Sequence, residues 1–254
     1  MSNDDTLYAV ANGVATITLN KEENKNALSV DLVNSLGDNL NRALDDEKVR
    51  AIVLSNNGNT FCAGADLKGD PTATPRYPLP TLFELMQSAN KPVVGRIAGH
   101  CMGGGVGLAA ACDISIAADD IKLGFTEVRI GVAPAIISVV CLPKMRYGDA
   151  MELFLSGERI SSSHASELGL LNHAVPRDEL DTRLDELMAK LVRGGPLAMA
   201  AAKQLVLKVP DMDRSAAFEW TAKVSADLFK SEEASHGIKS FRDRVDAPWV
   251  PSSE

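Results

Sequence analysis

Five residues, Gly103-Gly104-Gly105-Val106-Gly107, constrain this chain more than any other stretch. They follow a predicted strand at 92–98 and lead into a predicted small-residue helix at 106–112. With side chains stripped away at that junction, another segment or a ligand can approach the backbone closely. The first turn of a helix also leaves N–H groups without intrahelical acceptors, so its mouth suits negative charge. Tight packing of turn against helix would require the same glycines. A third reading is open as well, because Gly105-Val106-Gly107-Leu108-Ala109-Ala110 fits the GxGxxA variant of the dinucleotide fingerprint, with Glu127 about twenty residues on. That fingerprint places its acid at the end of the next strand, whereas the predicted strand at 113–118 stops well before Glu127. A nicotinamide-dependent oxidoreductase is the alternative that rests on this match.

Around the glycines the chain alternates between strand and helix signals. Two runs rich in Val, Ile, Thr and Tyr between Leu7 and Leu19 flank Asn12-Gly13, a pair suited to the positive φ angles of a tight hairpin. Ser29 offers an N-cap hydroxyl, and Val33, Leu36, Leu40 and Ala43/Leu44 follow helical spacing. Residues 50–55 read as an apolar strand closed by the breakers Asn56-Asn57-Gly58-Asn59. Residues 70–80 hold Pro71, Pro75, Pro78 and Pro80 and read as a mobile surface loop. A helix at 81–90, the strand at 92–98, the helix at 106–112 and the strand at 113–118 follow. Beyond residue 135 helices dominate, at 135–144, 147–156, 163–168, 178–192, 196–207 and 213–229, with one further strand at 171–175. The expected class is α/β with a helical carboxyl end packed on the core or on a neighbouring subunit.

The charge balance, 26 basic against 34 acidic residues for a net −8, provides no overall field for nucleic acid or an anionic membrane. An anionic ligand must find a local basic patch. Cys62, Cys101, Cys112 and Cys141 form no CxxC pair and sit among small or apolar neighbours, as buried free thiols in a reducing compartment do. The start, MSNDDTLYAV, is acidic where a targeting peptide would be basic, and no run approaches the ~18 apolar residues of a spanning helix. A cytoplasmic protein of 254 residues, without membrane or nucleic-acid partners, is the expectation.

A second segment of small residues, FCAGADL (61–67), also follows a strand. In one reading it is a tight crossover in which Asp66 bonds local backbone. Paired with the glycine run, it supplies a second backbone stretch, so that the two can aim one N–H each at a single carbonyl oxygen.

The pairing of FCAGADL with GGGVGLAAACD (103–113) resembles the crotonase, or enoyl-CoA hydratase/isomerase, superfamily. TITLNKEENKNALS (16–29), FTEVRIGV (125–132), LFLSGERISSSHASELGLLNHAV (153–175) and SHGIKSFRDR (235–244) extend the resemblance across essentially the whole chain. It implies a crotonase-type spiral of repeated ββα units over residues 1–195 and a helical trimerisation region over 196–254, in a homotrimer or dimer of trimers. It also implies an acyl-CoA substrate with no metal or redox cofactor. Carried over by motif, the oxyanion-hole N–H groups fall on Ala65 and Gly104. Coenzyme A contacts fall on Lys25, the Ala63 backbone and Lys68, joined by Phe241 and Arg244 from a neighbouring subunit.

The chain departs from the pattern at the proton-transfer position. Many hydratases of the superfamily use two glutamates; here the first position is Gly107 and the second is Glu127. In an apolar thioester pocket a lone carboxylate has its pKa raised toward neutrality and can alternate between base and acid. A single base suffices for an isomerase that shifts a double bond, whereas hydration also needs water to be held, for which His100 is a candidate by proximity. The bulkier loop Gly131-Val132-Ala133-Pro134-Ala135-Ile136-Ile137-Ser138 makes the chain similar to bacterial methylglutaconyl-CoA hydratase-like members that act on branched enoyl thioesters. Hydration of a 2-enoyl-CoA is the expected reaction; isomerisation and catalytically silent acyl-CoA binding are the alternatives.

Overall fold

The computed structural model describes residues 4–70 and 72–251. Pro71 of the proline-rich stretch and the first three residues of the acidic start lie outside the described residues. The chain opens with β1 (Thr6–Ala11) and β2 (Val14–Leu19), an antiparallel hairpin turning on Asn12 (φ 50°) and Gly13 (φ 75°). In α1 (Val30–Asp45) the Ser29 hydroxyl accepts the Leu32 N–H at 3.3 Å. Leu32, Val33, Leu36, Leu40 and Ala43 bury the helix's apolar face, the larger ones each contributing about 1.5–3 kcal/mol relative to exposure.

A unit of strand, short strand and helix then recurs three times. The first is β3 (Ala51–Asn56), β4 (Thr60–Cys62) and α2 (Leu79–Ser88). The second is β5 (Val93–Ile97), β6 (His100–Met102) and α3 (Gly104–Ala111). The third is β7 (Ile114–Ala118), β8 (Lys122–Gly124) and α4 (Ala135–Cys141). There follow α5 (Tyr147–Ser156), β9 (Arg159–Ser161), α6 (Ser162–Glu167), β10 (His173–Val175), α7 (Leu180–Leu191), α8 (Pro196–Lys208), α9 (Arg214–Phe229) and α10 (Glu232–Asp243).

The first strand of each unit joins one sheet, ordered β1-β2-β3-β5-β7-β10, and the second joins another, ordered β4-β6-β8-β9. Successive strands within each sheet come from successive units and run parallel, which demands a crossover connection. Each crossover leaves one sheet, passes through the other and returns by way of a helix, so the chain winds as a spiral of ββα units. β3 is buried along its whole length, as a parallel strand covered on both faces is.

Several elements differ from the sequence reading. The four strands of the second sheet have three residues each, too short for alternation to show, and none was located from the sequence, although the family resemblance implied ββα units. α3 begins at Gly104, two residues earlier than predicted, which puts the glycine run inside its first turn. α10 lies within the carboxyl region expected to be helical, although no separate helix was read at its position.

The proline-rich stretch lacks regular structure at residue 70 and over 72–78, but its last two residues, Leu79 and Pro80, already open α2, and it is fastened to α1. The Arg76 N–H donates to Asn34 Oδ1 at 2.7 Å, and the Arg76 guanidinium pairs with Asp38 at 2.6 Å. The Tyr77 ring fills the space beside Gly37, where an added Cβ would lie 2.2 Å from the ring.

The carboxyl region is held to the core by Lys203 Nζ on Asp113 Oδ2 at 2.8 Å and by Arg50, which donates to the carbonyls of Gly194 and Trp249. Neither α8 nor α9 buries a residue within the subunit. All four cysteines are free and buried, and burial pushes the Cys62, Cys112 and Cys141 thiols up to about 12. Among the described residues no helix is long and apolar enough to cross a membrane, and no group of three or more His, Cys, Asp and Glu is arranged to hold a metal ion.

Candidate active site

The mouth of α3 and the segment after β4 meet face to face. Gly64 adopts φ +91°, and a Cβ there would lie 2.9 Å from Met102 O and 3.3 Å from Gly104 N. Neighbouring bonds hold each segment: Leu28 N donates to Gly64 O at 2.8 Å, and Gly103 N donates to Gly124 O at 3.0 Å. Among the described residues the N–H groups of Ala65 and Gly104 donate to no backbone carbonyl. The two stretches that the sequence reading paired thus meet, and both of those residues line one cavity of about 690 Å³.

Glu127 lines the same cavity. It sits in a 3-10 turn, Thr126–Ile130, fixed on one side by Phe125, which is buried against the Phe154 ring at 4.4 Å between centroids. On the other side the Val132 N–H donates to the Glu127 carbonyl at 3.2 Å. The carboxylate lies over Gly103 (φ +51°), where a Cβ would fall 2.9 Å from Oε1. Only glycine offers both that backbone and that space. Oε2 is buried and has no hydrogen-bond partner. Burial raises the carboxyl above its ordinary pKa, partly opposed by a hydrogen bond from the residue's own N–H. Buried polar atoms without partners are rare in folded proteins, and a titratable one facing a cavity is a candidate for proton transfer.

The place of a second acid is filled. A Cβ at Gly107 would lie 2.4 Å from Ile137 Cγ2 and 2.8 Å from Phe83 Cζ. Among the described residues Glu127 is the sole acid lining the cavity. His100 is not brought to the site: its Nδ1 accepts the Lys122 N–H at 2.9 Å, which ties the ring to β8, and it does not line the cavity. The dinucleotide reading also loses its acid, since β7 ends at Ala118 and Glu127 faces Gly103.

Of the remaining predicted contacts only Ala63 is brought to the cavity. Ala63 lines the cavity, and its N–H donates to the Lys25 carbonyl at 3.1 Å. Lys25 itself, in a left-handed conformation at φ 58°, and Lys68 are outside the lining. Asp66 accepts the Lys68 N–H at 3.0 Å, so the local Asx turn exists alongside the site. Phe241 is 86% exposed on α10, and Arg244 ends that helix at φ 56°; neither reaches this chain's own cavity. Sequence reasoning missed Arg129 and Arg159, both in the lining, because nothing in their local sequence shows which way they face.

A family model described as enoyl-CoA hydratase/isomerase matches residues 9–251. The chain belongs to the enoyl-CoA hydratase/isomerase family. Among curated family members, 2,3-dehydroadipyl-CoA hydratase of Escherichia coli is 30% identical over 233 residues, covering 90% of this chain and 91% of that protein. (E)-benzylidenesuccinyl-CoA hydratase of Thauera aromatica is 30% identical over 244 residues, with 92% and 94% covered. The solved enoyl-CoA hydratase of Mycobacterium smegmatis superposes with a TM-score of 0.89 at 27% identity, covering 96% of this chain and 98% of that one. The crotonase-type fold expected from the sequence is thus the fold of this family member.

Proposed function

We propose that this enzyme adds water across the double bond of a 2-enoyl-CoA thioester, with Glu127 as its one acid–base residue. The thioester oxygen accepts from the N–H groups of Ala65 and Gly104. Glu127 takes a proton from water as the water oxygen bonds to C3, and the negative charge that develops moves to the thioester oxygen as an enolate. The protonated Glu127 then returns its proton to C2. Losing one of the two amide donors would cost about 3–4 kcal/mol of barrier. No group beyond the coenzyme A of the substrate is needed, because the amides polarise the thioester and the carboxylate moves the proton.

The observation that carries this reading is the unpartnered, buried Oε2 of Glu127 in the cavity that also takes in Ala65 and Gly104. Coenzyme A is held, in this proposal, by Lys25, the Ala63 backbone and Lys68, with Phe241 and Arg244 coming from a neighbouring subunit. The assembly is a homotrimer or dimer of trimers. Support comes from α8 and α9, none of whose residues is fully buried within the subunit, and from Phe218, Phe229 and Phe241, all largely exposed. A branched acyl group suits the apolar wall of Ile130, Val132 and Ile136. Four buried, unpaired thiols support a reducing, cytoplasmic setting.

One observation favours a second reading. With Ile137 and Phe83 filling the space at Gly107, a single base remains, which is enough to carry a proton between C2 and C4 of a 3-enoyl thioester. Incubation with 2-enoyl and 3-enoyl thioesters in heavy-oxygen water, read by mass spectrometry, separates the two. Heavy oxygen gained by the 2-enoyl substrate supports hydration; bond migration without it supports isomerisation.

A further inference from the structure

The wall beyond Glu127 carries positive charge that the proposed mechanism does not use. Arg129 and Arg159 line the cavity, and among the described residues neither pairs with a carboxylate nor stacks on a ring. Other arginines of this acidic chain are paired, as Arg96 with Asp181, Arg177 with Asp120 and Arg193 with Asp246. The two stems are braced against glycine backbone. A Cβ at Gly157 would meet Arg129 Cγ and Nε at 3.1 Å, and one at Gly124 would meet Arg159 Cγ at 3.1 Å.

Contacts order the cavity. Ala63, Gly64 and Ala65 abut the mouth of α3; Gly103 in that mouth abuts Glu127; Arg129 follows Glu127 on the same turn; and Arg159 lies opposite Gly124, three residues before Glu127. The positions proposed for coenzyme A adjoin the first of these segments: the Lys25 carbonyl accepts the Ala63 N–H, and Lys68 follows Ala65 by three residues. Arg129 shares its turn with Glu127 and with Ile130, part of the apolar wall proposed for the acyl group, and Arg159 lines the same cavity, whereas Lys25 and Lys68 are outside its lining. An anionic group that reaches them is therefore carried by the acyl chain and not by the nucleotide.

We propose that the acyl group of the substrate ends in a second carboxylate, received by Arg129 and Arg159. This rests on the thioester reading above and narrows its substrate class. A guanidinium presents a planar fork that matches a carboxylate with two parallel hydrogen bonds. Stems already braced against Gly157 and Gly124 give up less freedom on binding. Both arginines are exposed, so the preference is set at the lower end for charge-assisted contacts, about tenfold.

The test is calorimetric binding of two saturated acyl-CoA thioesters of equal length, one ending in methyl and one in carboxylate, which needs no turnover. The expected result is about tenfold tighter binding of the carboxylate-ended thioester. That ratio collapses toward one in Arg129→Gln/Arg159→Gln and is largely kept in Arg129→Lys/Arg159→Lys. Equal affinities in the wild type overturn the inference. So does equal weakening of both thioesters in the glutamine variant, which would assign the arginines to the shared nucleotide. Turnover of the matching 2-enoyl pair is measured in parallel. Binding preference without turnover leaves the arginine assignment standing and removes the hydratase reading, whereas turnover without preference does the reverse.

Discussion

Replacing Glu127 by glutamine removes a charge and keeps the shape, so it separates catalysis from packing. The kcat is expected to fall by about 10²–10⁴-fold, the range for loss of a positioned acid–base group. That corresponds to roughly 3–5.5 kcal/mol of barrier. Stability should move the other way. Burial raises the folded carboxyl's pKa, and Oε2 has no partner to lose. An acid whose folded pKa lies above its unfolded one stabilises fully below the unfolded value, about 4.3 for glutamate, and loses that contribution as pH rises through the folded value. At neutral pH the wild type bears this loss and the glutamine variant does not. Because the side chain is only half-buried, solvent screening limits the gain to about 1 kcal/mol. In a chain of this size that raises Tm by about 2–4 °C. Scanning calorimetry should show the gain at neutral pH and its disappearance below about pH 4. Enoyl-thioester absorbance reports kcat, and titration calorimetry should show coenzyme A binding retained. A variant with wild-type kcat refutes the reasoning, since another base would then be at work. One that melts lower at neutral pH refutes it too, since the carboxylate would then be a structural partner.

Three further outcomes follow from spaces that are already occupied. Gly107→Ala drives a Cβ into Ile137 and Phe83 and should destabilise by about 1–3 kcal/mol, with part regained when Ile137→Ala is added, as denaturant titration would show. Gly64→Ala meets both a positive φ and the Met102 carbonyl; it should lower kcat by about a hundredfold or more through the displaced Ala65 and Gly104 donors, measured by the same absorbance assay. Gly37→Ala evicts the Tyr77 ring from α1, and timed limited proteolysis should then cut the loop at 72–77 faster than in the wild type.

Much of the architecture was legible in local sequence because it is written in local physics. Asn12-Gly13 carries the positive φ of the first hairpin, Ser29 caps α1, and the spacing from Val33 to Ala43 declares its buried face. The glycine run and FCAGADL, together with the order of the other motifs, identify the family. Three-residue strands carry no period, however, so β4, β6, β8 and β9 exist only because neighbouring turns of the spiral supply their partners. The same holds within the cavity. Sequence names Glu127 and Gly107, but tertiary packing lays the Glu127 carboxylate over Gly103, fills the room at Gly107 with Ile137 and Phe83, and turns His100 toward Lys122. It also brings Arg129 and Arg159 to one wall. Capping, turns and periodicity act within a few residues of chain, whereas what faces a cavity is decided by segments tens of residues apart, whose meeting depends on the whole fold.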